Sequence, residues 1–510
     1  MQIGSLAADY TVQGGSKMRR VMSIFMLLCI SSAVFASGSK DAGTQTSGGK
    51  PTELTMYLLG EPPAGFESVE AEVNKKLAAD LNAKVKFNFL SWGDWDTRYP
   101  LILNSGEAFD IIYTANWCFF GEFKQKGGYL ALNDLIAKNA PKIAKSLNKD
   151  AIDQSSYKGN QYMVPAMSTD LNDNGYLIRG DLRKKYGTPA IKTVADLELY
   201  LDAIKKNEPQ MIPFNAGFND TGLLNSMVMF ENDWMPDNFM GSVFYSLKDP
   251  KKTFSWYLTP EFEAFAKRMR TWNDKGFWSK NVLSNEGIAR DSFQLGTGGM
   301  AIVNIMELND VYRRVKSENP SWELEWYVMG PDTTMTKTTY DGNGYAIGAK
   351  SKNPELSLKV LEKFIQDESY NDLLFYGIKG VNYNLDSEKR LIKGSGDFYS
   401  GEDVSIWGLK NALFKKYAPD LFPNFISTLD SLMKKAVTSP YALFTFDRTP
   451  VEAELAAISN VEDQYAKPVT WGLVDPTEGL KSLKDQLKIA GIDKVQAEFA
   501  KQSAAYLSSK

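Results

Sequence analysis

Residues 53–114 constrain the fold more than any other stretch, because two hydrophobic periodicities alternate along them. "ELTMYLL" (53–59) reads as a strand. "FESVEAEVNKKLAADL" (66–81) then sets Val69, Val73, Leu77 and Leu81 four apart, on one face of a helix. "AKVKFNFL" (83–90) returns to strand character, and residues 94–104 suit a short helix interrupted early by Pro100. "IIYT" (111–114) is β-branched and aromatic, as in a strand buried on both faces. A β-α-β-α-β order calls for a parallel sheet with helices on its faces, and hence an α/β fold.

Ligands of open parallel sheets bind beyond the carboxyl ends of the strands. The first strand ends at Gly60 and Glu61, the second at Ser91, Trp92, Gly93, Asp94 and Trp95, and the third at Asn116 and Trp117. Carboxylates and amides answer hydroxyl groups, while indole rings offer an apolar face and one N–H donor. Trp92 and Trp117 are therefore the expected stacking residues of a site, with Glu61 and Asn116 as polar partners. Trp95 reads as a core residue of the short helix.

The chain has 510 residues, enough for more than one core, and it lacks histidine altogether. That removes Ser-His and Cys-His nucleophile pairs and histidine metal sites. Its only cysteines are Cys29 and Cys118, so cysteine-rich zinc sites are excluded too, and no cofactor or metal is expected. A formal net charge of −4 argues against non-specific nucleic-acid binding.

"MRRVMSIFMLLCISSAVFASGSK", from Met18, has the basic start, apolar stretch and small-residue cut of an export signal. Residues 1–36 are expected to be removed, with Met18 as the initiator and Ser37 as the mature start. Lipid attachment at Cys29 is the alternative, although Leu28 is large where such sites have a small residue. Residues 37–50 form a Gly/Ser/Thr tether.

Further along, "YKGNQYMVPA" (157–166) is a turn and strand pair leading to a polar patch over residues 168–174. Thr193 and Asp196 form a capping box for a helix carrying Val194, Leu197, Leu201 and Ile204. "GTGGMAIVNI" (296–305) is a Gly-rich turn into a buried strand. Asn353 is expected to cap a helix opened by Pro354, and Gly491 to stop one carrying Leu480, Leu483 and Leu487.

In this order, "SGEAFDIIYTANW", "KGGYLALNDLI", "YKGNQYMVPA", "GYLIRGDLRKKYG", "GTGGMAIV" and "GNGYAIGAKSKNPELSLKVLEKF" resemble the large sugar-binding type of extracellular solute-binding proteins of ABC importers. The resemblance covers residues 53–366. "YGIKGVNYNL" (376–385) and residues 451–507 are similar to the LplA-like lipoprotein subgroup with an extra C-terminal helical domain. It implies a two-lobed α/β fold with two parallel or mixed sheets and a hinge. Lobe one would take 51–167 and 332–376; lobe two, with the C-terminal extension, would take 168–331 and 377–510. The chain would cross near 168–174 and return near 327–332. Asp170, Asn172 and Asn174 would then lie at the hinge, while Asn219, Asp220, Trp234 and Asn304 would be candidates on lobe two.

The implied function is capture of a carbohydrate, sugar or oligosaccharide, between the lobes and delivery to membrane permease subunits. The chain would act as a monomer, without enzymatic activity, in the periplasm or at the outer face of the cytoplasmic membrane. The alternatives are a binder of peptide, a surface adhesin, and an exported glycoside hydrolase using two of Glu61, Asp94 and Asp220 as a carboxylate pair.

Overall fold

A computed structural model describes residues 49–171, 174–236, 243–330, 332, 334–397 and 399–509. The export signal, most of the tether and Asn172 lie outside these residues.

Strand β1 (Thr52–Leu59), helix α1 (Phe66–Leu81), strand β2 (Ala83–Leu90), helix α2 (Trp95–Ser105) and strand β3 (Ile111–Thr114) follow the alternating pattern of the sequence. β1 lies between β2 and β3 and is parallel to both. Strand Gly344–Ile347 continues the sheet antiparallel to β3, and Val164–Pro165 closes it. α1 buries Val69, Val73 and Leu77, the stripe its four-residue spacing predicts. Pro100 does not interrupt α2. The buried Tyr99 donates to Tyr113 O (2.8 Å), and this tie to β3 holds the turn that the missing proline N–H would weaken.

The second sheet has Asn174–Arg179 at its centre, with Met300–Asn304 and Leu324–Val328 antiparallel on either side. The Thr193 capping box forms as expected and opens helix Val194–Asn207. Pro354 occupies the first helical position, but the Asn353 side chain does not cap; its amide points to Asp110 Oδ1 (3.5 Å).

Each sheet lies in its own hydrophobic core. The C-terminal helices Glu452–Val461, Pro476–Ile489 and Ile492–Ser508 share the second core instead of building a third. Trp471 is fully buried there, donates to Thr221 Oγ1 (3.0 Å) and accepts the Trp278 N–H on its carbonyl (3.1 Å). Tyr399, Val404, Ile406 and Leu409 pack in the first core, whereas the sequence places everything after residue 376 with the second. Ser405 is the reason: its hydroxyl accepts Leu59 N (2.9 Å) at the end of β1, and its carbonyl accepts the Tyr345 hydroxyl (2.7 Å).

The return crossing also comes later than the sequence implies. Residues 324–328 are still a strand of the second sheet. The outgoing and returning chains meet at Leu171 and Lys337, and Asp170 exchanges hydrogen bonds with Thr338 on its N–H and carbonyl (2.8 Å each). Strand Val437–Thr438 runs parallel to Thr336–Lys337 on the other side.

Candidate ligand-binding site

The carboxyl ends of β1, β2 and β3 form one edge, and four tryptophans gather on it. Trp92 follows β2 and Trp117 follows β3; Trp95 opens α2, and Trp407 arrives from the segment Ser405–Leu409. Trp92 stacks on Trp407 (centroids 5.9 Å apart, planes 9° from parallel) and on Trp117 (6.4 Å, 25°), while Trp95 meets Trp117 edge-on at 5.8 Å. Trp407 is the residue sequence reasoning missed. It sits in a short 3-10 turn without periodicity, in a stretch assigned to the other lobe.

The four indoles have different freedom. Trp117 donates its N–H to Gly342 O (2.8 Å), so the donor expected to await a ligand is already engaged. Trp407 donates to Asn343 Oδ1 (2.8 Å), which also accepts the Tyr113 hydroxyl (2.6 Å). Trp92 is 38% exposed, and its N–H has no hydrogen-bond partner among the described residues. It is therefore the most exposed of the four, stacked on two rings whose own N–H groups are engaged.

Glu61 is exposed and accepts Trp92 N (3.2 Å), which positions the Trp92 backbone. Gly60, at φ +99°, lets the chain turn there; a Cβ on it would lie 2.7 Å from Asp403 O and 3.3 Å from Trp92 Nε1. Asn116 is tied to the returning chain: its N–H reaches Asp341 O (2.7 Å), and its amide donates to Thr339 Oγ1 (2.7 Å). Burial raises the Asp341 carboxyl above the usual carboxylate range.

The second core brings Asn174 and Asn304 to one edge, because antiparallel pairing puts the start of one strand opposite the end of the other. Asn304 Oδ1 accepts Met306 N (2.8 Å) and shapes the turn into helix Leu308–Glu318. From that helix Arg314 reaches Asp403 of the first core in an ion pair. Burial depresses the nearby Arg290 guanidinium, but the carboxylates of Glu307, Asp291 and Asp403 outweigh it and hold the group above its usual value. Two arginines of the second core thus address the carboxylate beside Gly60 and Trp92. Asp170 contributes through the crossing, 3.8 Å from Lys410.

Three expected residues have local roles. Asp220 is 2% exposed and accepts Gly217 N (3.1 Å) and Ala289 N (2.9 Å), holding a turn to the start of a helix; burial raises its carboxyl to about 6. Asn219 donates to Glu286 O (2.9 Å) in the same junction. Trp234 packs edge-on against Phe254 (4.7 Å) in a three-stranded antiparallel sheet. Asp94 accepts Ser91 Oγ (2.6 Å) and pairs with Arg98. Glu61 and Asp94 thus bond to neighbouring residues of one loop, Trp92 and Ser91, whereas Asp220 holds a turn of the second core.

Two α/β bodies, paired crossing strands and an aromatic edge that the second body addresses define a hinged, two-lobed solute-binding fold. The chain belongs to the bacterial extracellular solute-binding protein family, whose description matches residues 60–370, and that family is one of binders and not of enzymes. Residues 440–508 match a domain of unknown function, DUF3502. A curated carbohydrate ABC transporter substrate-binding protein of Streptococcus pneumoniae is 25% identical over 477 residues, which cover 91% of this chain and 92% of the relative. The N-glycan transport solute binding protein NgtS of the same organism, solved with Man1GlcNAc and with Man5GlcNAc, superposes with a TM-score of 0.74 at 23% identity, over 90% of this chain and 99–100% of NgtS. Alginate-binding protein AlgQ2 superposes with a TM-score of 0.65 at 18% identity, over 89% of this chain and 98% of that one.

Proposed function

We propose that this chain is an exported carrier that captures a carbohydrate between its two lobes and hands it to the permease of an ABC importer. The observation that carries the reading is Trp92: an exposed indole whose N–H has no hydrogen-bond partner among the described residues, stacked on Trp407 and Trp117 at the carboxyl edge of a parallel sheet. A sugar ring matches it, with an apolar C–H face for the indole and hydroxyls for the N–H and the neighbouring polar groups. The relatives support the same ligand class, since one is named as a carbohydrate transporter component and another was solved with mannose–GlcNAc glycans. Ligand would close the lobes about the paired crossing strands, the hinge motion common to clefts of this kind. In this reading the signal over residues 1–36 directs export, the chain works as a monomer, and the closed form presents both lobes to the permease.

The test is a thermal-shift screen of the mature chain against neutral glycans, acidic glycans and short peptides. A ligand that binds only the folded state raises the melting temperature with concentration. Stabilisation by glycans and not by peptides is the expected result. Stabilisation by peptides alone would replace the carbohydrate reading, and turnover of a glycan would replace the carrier reading.

A further inference from the structure

The C-terminal extension packs its helices in the second core, yet its first stretch meets the first core as well. Residues 442–448 face helix Phe120–Lys126 across a small cavity. Phe120 and Phe123 anchor that helix in the first core, whereas Phe446, Val451 and Leu455 belong to the second. The helix starts three residues after Trp117, so this contact between the cores lies beside the aromatic edge.

The rim of the contact is held by charge. Arg448 pairs with Glu122 (3.3 Å) and Lys126 with Glu452 (3.0 Å). Gly121 brings the two chains close: a Cβ on it would lie 3.4 Å from Thr445 Cγ2. The cavity between them is about 40 Å³, which is room for water. Polar contacts of this kind are usual between domains that move relative to one another.

One group at the centre works against the contact. Lys124 lines the cavity, is 5% exposed, and makes no hydrogen bond or ion pair among the described residues. Its ammonium lies 4.4 Å from the centre of the Phe120 ring. Burial holds that ammonium below its usual range, and the buried Asp341 across the cavity offsets only part of the effect. A buried charge without a hydrogen-bonded partner is costly, and parting the contact would return Lys124 to water. Two attractions at the rim and one penalty at the centre leave the contact poised to open.

We propose that the C-terminal extension is a latch between the lobes. Latched, it keeps the second core against the first, with Arg314 on Asp403 beside Gly60 and Trp92, and this is the arrangement that takes ligand. Unlatched, the lobes part and Lys124 is hydrated. The inference rests on the two-lobed carrier reading above and gives the domain of unknown function a role: it sets the fraction of free protein that is ready to bind.

The test compares four mature chains by hydrogen exchange and X-ray scattering without ligand. They are wild type, Lys126→Gln with Arg448→Gln, Lys124→Met, and Gly121→Cys with Thr445→Cys. The last pair is close enough for a disulfide, and the native Cys118 is buried. Exchange in helix Val194–Asn207 reports that each variant is folded. Loss of both rim pairs should speed exchange in residues 120–126 and 441–452 about threefold or more and raise the radius of gyration. Lys124→Met should slow the same exchange. Calorimetric titration with mannotriose, chitotriose, maltotriose and a uronate trimer follows. The double Gln variant should bind about threefold or more weakly than wild type, and the oxidised cysteine pair at least as tightly. Exchange or radius at the wild-type value in the double Gln variant, a cysteine pair that does not oxidise, or an oxidised form that binds more weakly than its reduced form would overturn the latch. If wild type binds none of the four sugars, the carbohydrate reading fails, while exchange and scattering still decide the latch.

Discussion

Trp92 and Trp407 lie face to face, with centroids 5.9 Å apart and planes 9° from parallel, although one follows the second strand and the other comes from a short turn late in the chain. The contact follows from the bonds that Leu59 and Tyr345 make to Ser405, two residues before Trp407. Trp92 is the most exposed ring of the edge.

Trp92→Ala should weaken binding of the cognate glycan by roughly 1–3 kcal/mol, the scale of an aromatic anchor at a binding surface. Folding stability should change by less than about 1 kcal/mol, because the ring is partly exposed and its N–H has no partner to lose among the described residues. Calorimetry and urea unfolding on the same preparation give both numbers.

Trp117→Ala should behave in the opposite way. Its half-buried ring packs against Tyr113 (centroids 5.8 Å apart) and its N–H is bonded to Gly342 O, so removal should cost about 1–3 kcal/mol of stability. Urea unfolding of the two variants side by side checks the order; equal stability losses would show that both rings do the same job.

Asp220→Ala should destabilise the fold by about 1–3 kcal/mol, because the buried N–H groups of Gly217 and Ala289 both donate to its Oδ2 and would lose their acceptor. Affinity per folded molecule should stay at the wild-type value. A selective loss of affinity would return Asp220 to the site.

Stability should fall between pH 6 and pH 8, and Glu462 is the cause. Its Oε1 is buried without a hydrogen-bond partner among the described residues, and burial, helped by Asp463, pushes the carboxyl up to about 8. The folded chain then keeps a proton that the unfolded chain has released above its ordinary value of 4.5. Stability from this group is fully present below that value and is lost as pH rises towards 8. Asp220 acts in the same sense, but its value of about 6 places its effect lower. Urea unfolding at pH 6 and pH 8 should show the decline, and Glu462→Gln should flatten it.

The first sheet was legible in the sequence because each element carries its own period: four-residue spacing in α1, and a doubly buried apolar run in β3. The edge followed from the same reading, since parallel strands that stop at Trp92 and Trp117 must stop together. What local pattern could not show was the partner of each polar group. The Trp117 N–H finds its acceptor at Gly342, and Asp220 finds one of its two donors at Ala289; both are far off in sequence and near only after folding. Trp407 was hidden for a related reason. Residues 405–409 have no period of their own and are placed by the bonds that Leu59 and Tyr345 make to Ser405. The return crossing was set too early because "LEWYV" (324–328) is a strand of the second sheet, and the crossing is marked instead by the Asp170–Thr338 exchange.

The most direct test of the account is a crystal structure of the mature chain with its tightest-binding glycan. The predicted result is a sugar ring stacked on the exposed face of Trp92, within hydrogen-bonding distance of its Nε1 and in contact with residues of both cores. A glycan bound elsewhere, with the Trp92 face bare, would contradict it.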